Sequence, residues 1–289
     1  MVSGRRTALA AWLFLAPALV LLAAFSFWPV GFGSYLAFTD YSLIRPTSSV
    51  GLDNFRYIFD NEMFVTGLKN SLVFLLMVPF VQIGALGLAV LVNNRLPGIR
   101  LFRAAFYVPV VTTVSVVGIM WGFMFHEQGA LNYMLMALRF VDAPVGWLSN
   151  DTLALFCIMF VTLWRGLGWY MVMYLAALQA VPAEMQEAAI LDGASRWQRF
   201  WKITVPMLHP TIMVCTILSV LAALKAYQEV DVLTQGGPMN STFTALYYSY
   251  DQGLKHLKLP RALAASFVVS VFCVGIAMLC LRYLKPRQK

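Results

Sequence analysis

Charge is scarce in this chain: Asp, Glu, Lys and Arg make up only 12% of its 289 residues, while 60% are hydrophobic. Soluble domains carry about 25% charged residues, so the sequence cannot clothe a water-facing surface, and the same apolar excess excludes a disordered chain. Cysteine and histidine are also sparse. Cys157, Cys215, Cys273 and Cys280 lie in apolar runs without metal-ligand spacing, and His126, His209 and His256 are scattered. That leaves no framework for disulfides or a zinc site. The sequence has no Gly-x4-Gly-Lys-Ser/Thr phosphate loop, no Gly-x-Ser-x-Gly elbow and no zinc-protease helix, hence no recognisable means of cradling a nucleotide or of hydrolysis. The 21 basic residues exceed the 13 acidic ones, but the sequence carries no nucleic-acid recognition motif, so nucleic acid is not an expected partner.

What is present is six long apolar runs, at approximately 9–38, 68–92, 104–125, 152–178, 206–230 and 263–284. Each reaches the roughly 20 residues that cross a hydrocarbon core as helix. Helix follows because lipid offers no partner to backbone groups, and continuous runs without dyad alternation exclude a barrel. The expected fold is an all-α polytopic membrane protein with six transmembrane helices, forming a single domain over residues 1–289. The first run follows Arg5 and Arg6, but it is about twice the length of a signal core and contains Trp12, Pro17, Trp28 and Pro29; it reads as a retained span. Pro17, Pro29, Pro79 and Pro109 mark either packing geometry or helices bent around a cavity. Gly84, Gly87, Gly166 and Gly168 are assigned to close helix packing.

Placing both termini in the cytoplasm gathers twelve basic residues inside: Arg5, Arg6, Arg95, Arg100, Arg103, Arg196, Arg199, Lys202, Arg282, Lys285, Arg287 and Lys289. They face three acidic ones, Glu184, Glu187 and Asp192. The outer segments hold seven basic residues, Arg45, Arg56, Lys69, Arg139, Lys255, Lys258 and Arg261, against ten acidic ones, with Glu229 and Asp231 counted at the membrane edge. That bias sets the orientation. In the first outer loop, Leu52, Phe55, Ile58 and Phe59 repeat at helical spacing, which fits a surface helix, a lid or a docking face.

The loop at about 182–206 carries more information. Pro182 opens a helix with Glu184 and Glu187 in its first half, and Asp192-Gly193 stops it. A second helix begins near Ser195, whose hydroxyl is placed to cap it. In that helix Trp197, Phe200, Trp201 and Thr204 fall on one face, with Arg196, Arg199 and Lys202 on the rest. Such a two-helix knuckle either rests on anionic lipid or inserts aromatic anchors into a cytoplasmic partner.

The segment Glu187-Ala-Ala-Ile-Leu-Asp-Gly193, with Pro206 thirteen residues later, resembles the cytoplasmic loop of binding-protein-dependent ABC importer permeases. Leu178-Gln-Ala-Val-Pro182, Gly51-Leu-Asp-Asn-Phe55, Asn70-Ser71 and Thr234-Gln-Gly-Gly-Pro238 match in order as well. The likeness is to the carbohydrate-uptake branch, the maltose/glycerol-phosphate type, and implies the type I importer permease fold. It implies that Glu187, Ala188 and Gly193 form the core of a coupling helix docked on a separate ATPase, joined by Trp197, Phe200 and Trp201. It further implies a second related permease, two ATP-binding subunits that carry ATP and Mg, and an extracytoplasmic solute-binding protein. No cofactor is expected on this chain.

Within span four, Thr162, Arg165, Gly166 and Trp169 share a helical face. An arginine in a span is expensive and should face a cavity or a partner; glycine leaves room beside it, and tryptophan offers a flat face to a sugar ring. In maltose-type permeases the matching positions contribute to the sugar site, although Arg165 replaces a small or apolar residue there. It therefore reads as a substrate contact, a structural ion pair or a snorkelling side chain. In span five, the resemblance places Ser219 and the Lys225–Tyr227 region on the translocation path, while Lys225 and Glu229 are spaced to pair along the helix near its outer end. Ala-Leu-Lys-Ala-Tyr at 223–227 replaces an asparagine-rich run of the maltose permease, which argues against maltose itself. The expected function is the permease subunit of an ATP-driven sugar importer. The alternatives are import of glycerol-3-phosphate and an ATP-independent secondary transporter, though no carboxylate reads as deep in a span and no broken-helix repeat is evident.

Overall fold

The computed structural model describes residues 4–42, 46–93 and 97–284, with side chains over 10–42, 46–93 and 97–282. Of the charges counted above, Arg45, Arg95, Lys285, Arg287 and Lys289 lie outside the described residues, as do the side chains of Arg5 and Arg6. The helices are α1 (Gly4–Leu22), α2 (Trp28–Leu36), α3 (Asp53–Asp60), α4 (Glu62–Phe74), α5 (Met77–Val92), α6 (Ile99–Val111), α7 (Val114–Met124) and α8 (Ala130–Ala137). There follow α9 (Asp151–Gln179), α10 (Ala183–Leu191), α11 (Arg196–Arg199), α12 (Val205–Leu224), α13 (Gln228–Leu233), α14 (Ala245–Tyr250) and α15 (Leu259–Leu284).

Among the described residues, five helical stretches are long and apolar enough to cross a membrane: Ala10–Leu36, Glu62–Val92, Asp151–Gln179, Arg196–Leu224 and Leu259–Arg282. A sixth exists if α6 and α7, bent by 103°, count together. The run expected as one span over 104–125 is thus two helices, and the break lies at Thr112-Thr113, beyond the Pro109 where a bend was one expectation. Thr112 and Thr113 both adopt extended backbone, with ψ of 137° and 146°. Two consecutive β-branched residues give up helix readily, and Pro109 has already removed an amide from the last full turn of α6.

The fifth run is also corrected at both ends. The helix does not begin at Pro206 but runs unbroken from Arg196, and it stops at Leu224, not 230. A five-residue π turn, Phe200–Thr204, lies just ahead of Pro206; the Val205 amide there reaches back to the Phe200 carbonyl. Span one repeats the device, with a π turn at Ala23–Phe27 ahead of Pro29 and the Trp28 amide bonded to Ala23. A wider turn gives a proline ring room against the carbonyls behind it, so neither proline ends its helix. Span two starts earlier than expected, at Glu62, and is loosened at Leu75 and Leu76, whose amides bond three residues back. Pro79 then sits in the first turn of α5, where a missing amide costs little.

The chain divides into two units, Met1–Asn61 with Ser249–Phe267, and Glu62–Tyr248 with Val268–Lys289. In the first, the outer-loop helix forms as expected. Gly51 (φ +56°) turns the chain into α3, and the Asn54 side-chain amide donates to the carbonyls of Ala37 and Thr39, at 2.9 and 2.8 Å, just beyond the end of α2. Phe55 packs between Phe38 and Phe267, with ring centroids 4.9 and 5.9 Å away. Ile58 is fully buried, while Leu52 and Phe59 are exposed.

In the second unit α9 is the central helix, packed against α5, α6, α12 and α13. Its core joins Val81, Ala85 and Ala89 of α5 to Met171, Tyr174 and Leu175 of α9 and to Leu208 and Cys215 of α12. Gly168 is the residue that lets α6 approach: a Cβ there would lie 2.0 Å from the Phe106 carbonyl oxygen. Gly84 and Gly166 are likewise in close contacts, with Leu167 and Val81. Gly87 is not, having open space around it, so its assignment to close packing is withdrawn.

Candidate functional site

A cavity of about 540 Å³ opens within the second unit, between α5, α6, α9, α12 and α13. Thr162, Arg165, Gly166, Trp169, Ser219, Lys225 and Tyr227 all line it. Two helices and the break after them bring the seven positions together: α9 presents the first four on its 0, 3, 4, 7 face, α12 presents Ser219, and Lys225 and Tyr227 follow the end of α12.

The geometry departs from expectation at Glu229. After Leu224 the backbone leaves the helix at Lys225 (φ −99°, ψ 11°) and Tyr227 (φ −145°, ψ −32°) before α13 begins. Lys225 and Glu229 therefore do not share a helix, and the pairing expected from their spacing is replaced. Glu229 Oε1 accepts instead from Arg165 Nη1 at 2.7 Å, across 64 positions of sequence. Both side chains are largely buried, at 21% and 10% exposure, which corrects the expectation that Glu229 lies near water. Of the readings open for Arg165, the ion pair is present, and the residue still lines the cavity. Its Nε is buried without a partner among the described residues. A buried pair of this kind holds its geometry well, because losing either member strands the other in low dielectric.

Sequence reasoning missed the polar support behind the cavity. Gln82 donates to Ser219 Oγ at 2.8 Å and to the Cys215 carbonyl at 3.1 Å, and Tyr174 donates its hydroxyl to Gln82. Ser219 is 3% exposed and also donates to Thr216, so it serves this network as well as the cavity wall. A glutamine inside an apolar run was the available signal, since such a group must find partners. Trp169 is the most open of the aromatic walls, at 49% exposure.

The helix break is braced by the loop that follows it. Thr244 Oγ1 donates to the Ala226 carbonyl, and the Ala245 amide donates to Ser71 Oγ at 3.0 Å. Asn70 donates to the carbonyls of Ser241 and Phe243, at 2.6 and 2.8 Å. The Asn70-Ser71 and Thr234–Pro238 motifs are thus parts of one clasp: Thr242 Oγ1, which donates to the Gly237 carbonyl, lies 2.8 Å from Thr234 Oγ1. Asn70→Leu should leave both carbonyls unpaired and lower stability by about 2 kcal/mol, read as a lower unfolding midpoint of the purified protein.

The knuckle forms at α10 and α11. Pro182 precedes α10, Gly193 takes φ +77°, and Ser195 with Gln198 makes a reciprocal capping box. Glu187, Ala188 and Gly193 are exposed. Trp197 and Trp201 are exposed and their rings meet at 5.5 Å. Phe200 is half-buried and Thr204 buried, so the four do not share one exposed face; the π turn rotates the register away from 3.6 residues per turn. Exposed Met185, Ile190 and Leu191 add apolar surface that the sequence reading left out, although Ile190-Leu191 just ahead of the helix stop was its visible sign.

Residues 66–289 match the family described as "Binding-protein-dependent transport system inner membrane component". The chain belongs to that family. It is 33% identical over 286 residues to the lactose transport system permease protein LacF of Rhizobium radiobacter, covering 96% of this chain and 94% of LacF. To the probable ABC transporter permease protein YesP of Bacillus subtilis (strain 168) it is 32% identical over 282 residues, covering 96% and 90%. A solved bacterial ABC transporter involved in the import of the acidic polysaccharide alginate contains a chain of the same fold, with TM-score 0.84, 22% identity and 98% of each chain covered. This permease is therefore a non-catalytic, multi-pass inner-membrane component of an ABC-type importer and acts with a substrate-binding protein. ATP and Mg belong to a separate ATPase partner. The Gly51–Phe55 motif lies outside the matched residues.

Proposed function

We propose that this permease conducts a sugar through the cavity lined by Thr162, Arg165, Gly166, Trp169, Ser219, Lys225 and Tyr227. The observation that carries the reading is their convergence on one cavity, whose volume falls in the range of small-molecule sites. Trp169 offers a flat face for the C–H side of a sugar ring, and Thr162, Gln228 and the Arg165–Glu229 pair surround it with polar groups. The name of LacF and the description of the alginate transporter, a neutral disaccharide and an acidic polysaccharide, support a saccharide cargo and leave its charge open.

In this reading a second, related permease completes the pore, two ATPase copies drive it, and a solute-binding protein delivers the sugar. The knuckle, with Glu187, Ala188, Gly193, Trp197, Phe200 and Trp201, is the surface the ATPase grips. Closure of the ATPases moves the knuckle, which the unbroken helix Arg196–Leu224 joins directly to the cavity wall, and ligand binding and nucleotide shift the balance between two packings. The test is uptake into proteoliposomes holding the whole importer. Trp169→Ala should lower sugar uptake at least about tenfold, the worth of a lost stacking face of roughly 1–1.5 kcal/mol or more, while the complex still assembles. Unchanged uptake would remove the cavity from the path. Gly193→Val, strained by roughly 1–3 kcal/mol at positive φ, should leave uptake weak while the ATPase still binds nucleotide.

A further inference from the structure

Behind the knuckle lies a second cavity of about 630 Å³, between the ends of α5 and α9 and the start of the Arg196–Leu224 helix. Arg196 and Arg199, one turn apart, both line it, together with Asn93, Gln186 and Thr204. Gln186 already donates to Thr204 at 3.1 Å, and the two guanidinium groups are the charged donors that face the cavity, beside the Asn93 amide. No acidic residue is among the described residues that line it. Arg199 Nε is buried and has no hydrogen-bond partner among the described residues. Two arginines turned into one polar cavity without a carboxylate form a fork suited to a tetrahedral oxyanion. The cavity sits at the end of the spans that also carries Arg100, Arg103 and Lys202, the side on which charge bias places the cytoplasm and its anionic lipid.

We propose that this cavity binds a phosphate group, such as the one an anionic phospholipid headgroup presents, held by Arg196 and Arg199. The bound phosphate bridges the knuckle to the ends of α5 and α9, so its site is distinct from the substrate cavity and does not depend on what that cavity carries. The experiment compares the whole importer with its R196Q/R199Q variant in two arms. In the first, complexes from phosphatidylcholine nanodiscs containing phosphatidylglycerol are weighed by native mass spectrometry. The wild type should retain one more phosphatidylglycerol per copy of this chain, with retention in the variant down by roughly 25-fold, since each of the two basic residues facing an anionic headgroup is worth roughly fivefold. In the second, inorganic phosphate is added to complexes in pure phosphatidylcholine. A thermal shift in the wild type alone, without the lipid difference, assigns the site to free phosphate. Equal behaviour of both proteins in both arms overturns the proposal. Should the double variant fail to assemble, R199Q is read in the same arms, with the same outcomes deciding.

Discussion

Glu229→Gln is expected to abolish most ATP-driven uptake and to destabilise the permease by roughly 3–5 kcal/mol, the cost of leaving one member of a buried ion pair alone. Its carboxylate is 2.7 Å from Arg165 and only 10% exposed, so water cannot replace it cheaply. The companion variant R165M/E229Q removes both charges and should recover most of the lost stability, because a buried pair is seldom worth much more than apolar residues of similar size. Uptake separates the two roles left for Arg165. If the pair only holds α13 against α9, the double variant transports; if Arg165 also meets the sugar, as proposed, the double variant is stable and transports poorly. Unfolding midpoints and uptake rates of the wild type, both single variants and the double variant close the cycle.

Gly168→Val should prevent stable assembly. The added Cβ would lie 2.0 Å from the Phe106 carbonyl oxygen and 2.9 Å from Val110. The first neighbour is backbone, so no rotamer change relieves the clash and α6 must move off α9. Overpacking of this kind costs about 3 kcal/mol or more, which in a chain of this size lowers the unfolding midpoint by at least about 5 °C. Val110 lines the cavity proposed to carry the sugar, so any protein that survives should also transport less. Detergent-solubilised yield and thermal unfolding measure the first effect, and uptake the second.

The apolar runs made the spans legible, because lipid enforces helix on any continuous run long enough to cross. Local chemistry made the knuckle legible in the same way: Pro182, Gly193 and Ser195 each act within a few residues, and each does so here. Thr162, Arg165, Gly166 and Trp169 could be named because one helical face holds them in a fixed order, whereas Ser219, Lys225 and Tyr227 were named from the family resemblance. Three features were hidden for one reason, which is that partners distant in sequence or small backbone choices decide them. Hydropathy is blind to the turn at Thr112-Thr113, since the run is apolar on both sides of it. The π turn before Pro206 carries the helix through the place where span five was expected to start, and the one before Pro29 lets span one continue past its proline. Glu229 was given to Lys225 by spacing, when the backbone break at Lys225–Tyr227 hands it to Arg165.

The central claim is that the cavity between α5, α9 and α12 opens to alternate sides as the ATPase partner drives the knuckle. A single cysteine at Thr162, in a variant without Cys157, Cys215, Cys273 and Cys280, tests it in the reconstituted importer with its solute-binding protein. An impermeant maleimide added from outside should label that cysteine when ATP hydrolysis is trapped, and leave it untouched in the nucleotide-free state. Equal labelling in the two states would contradict the account.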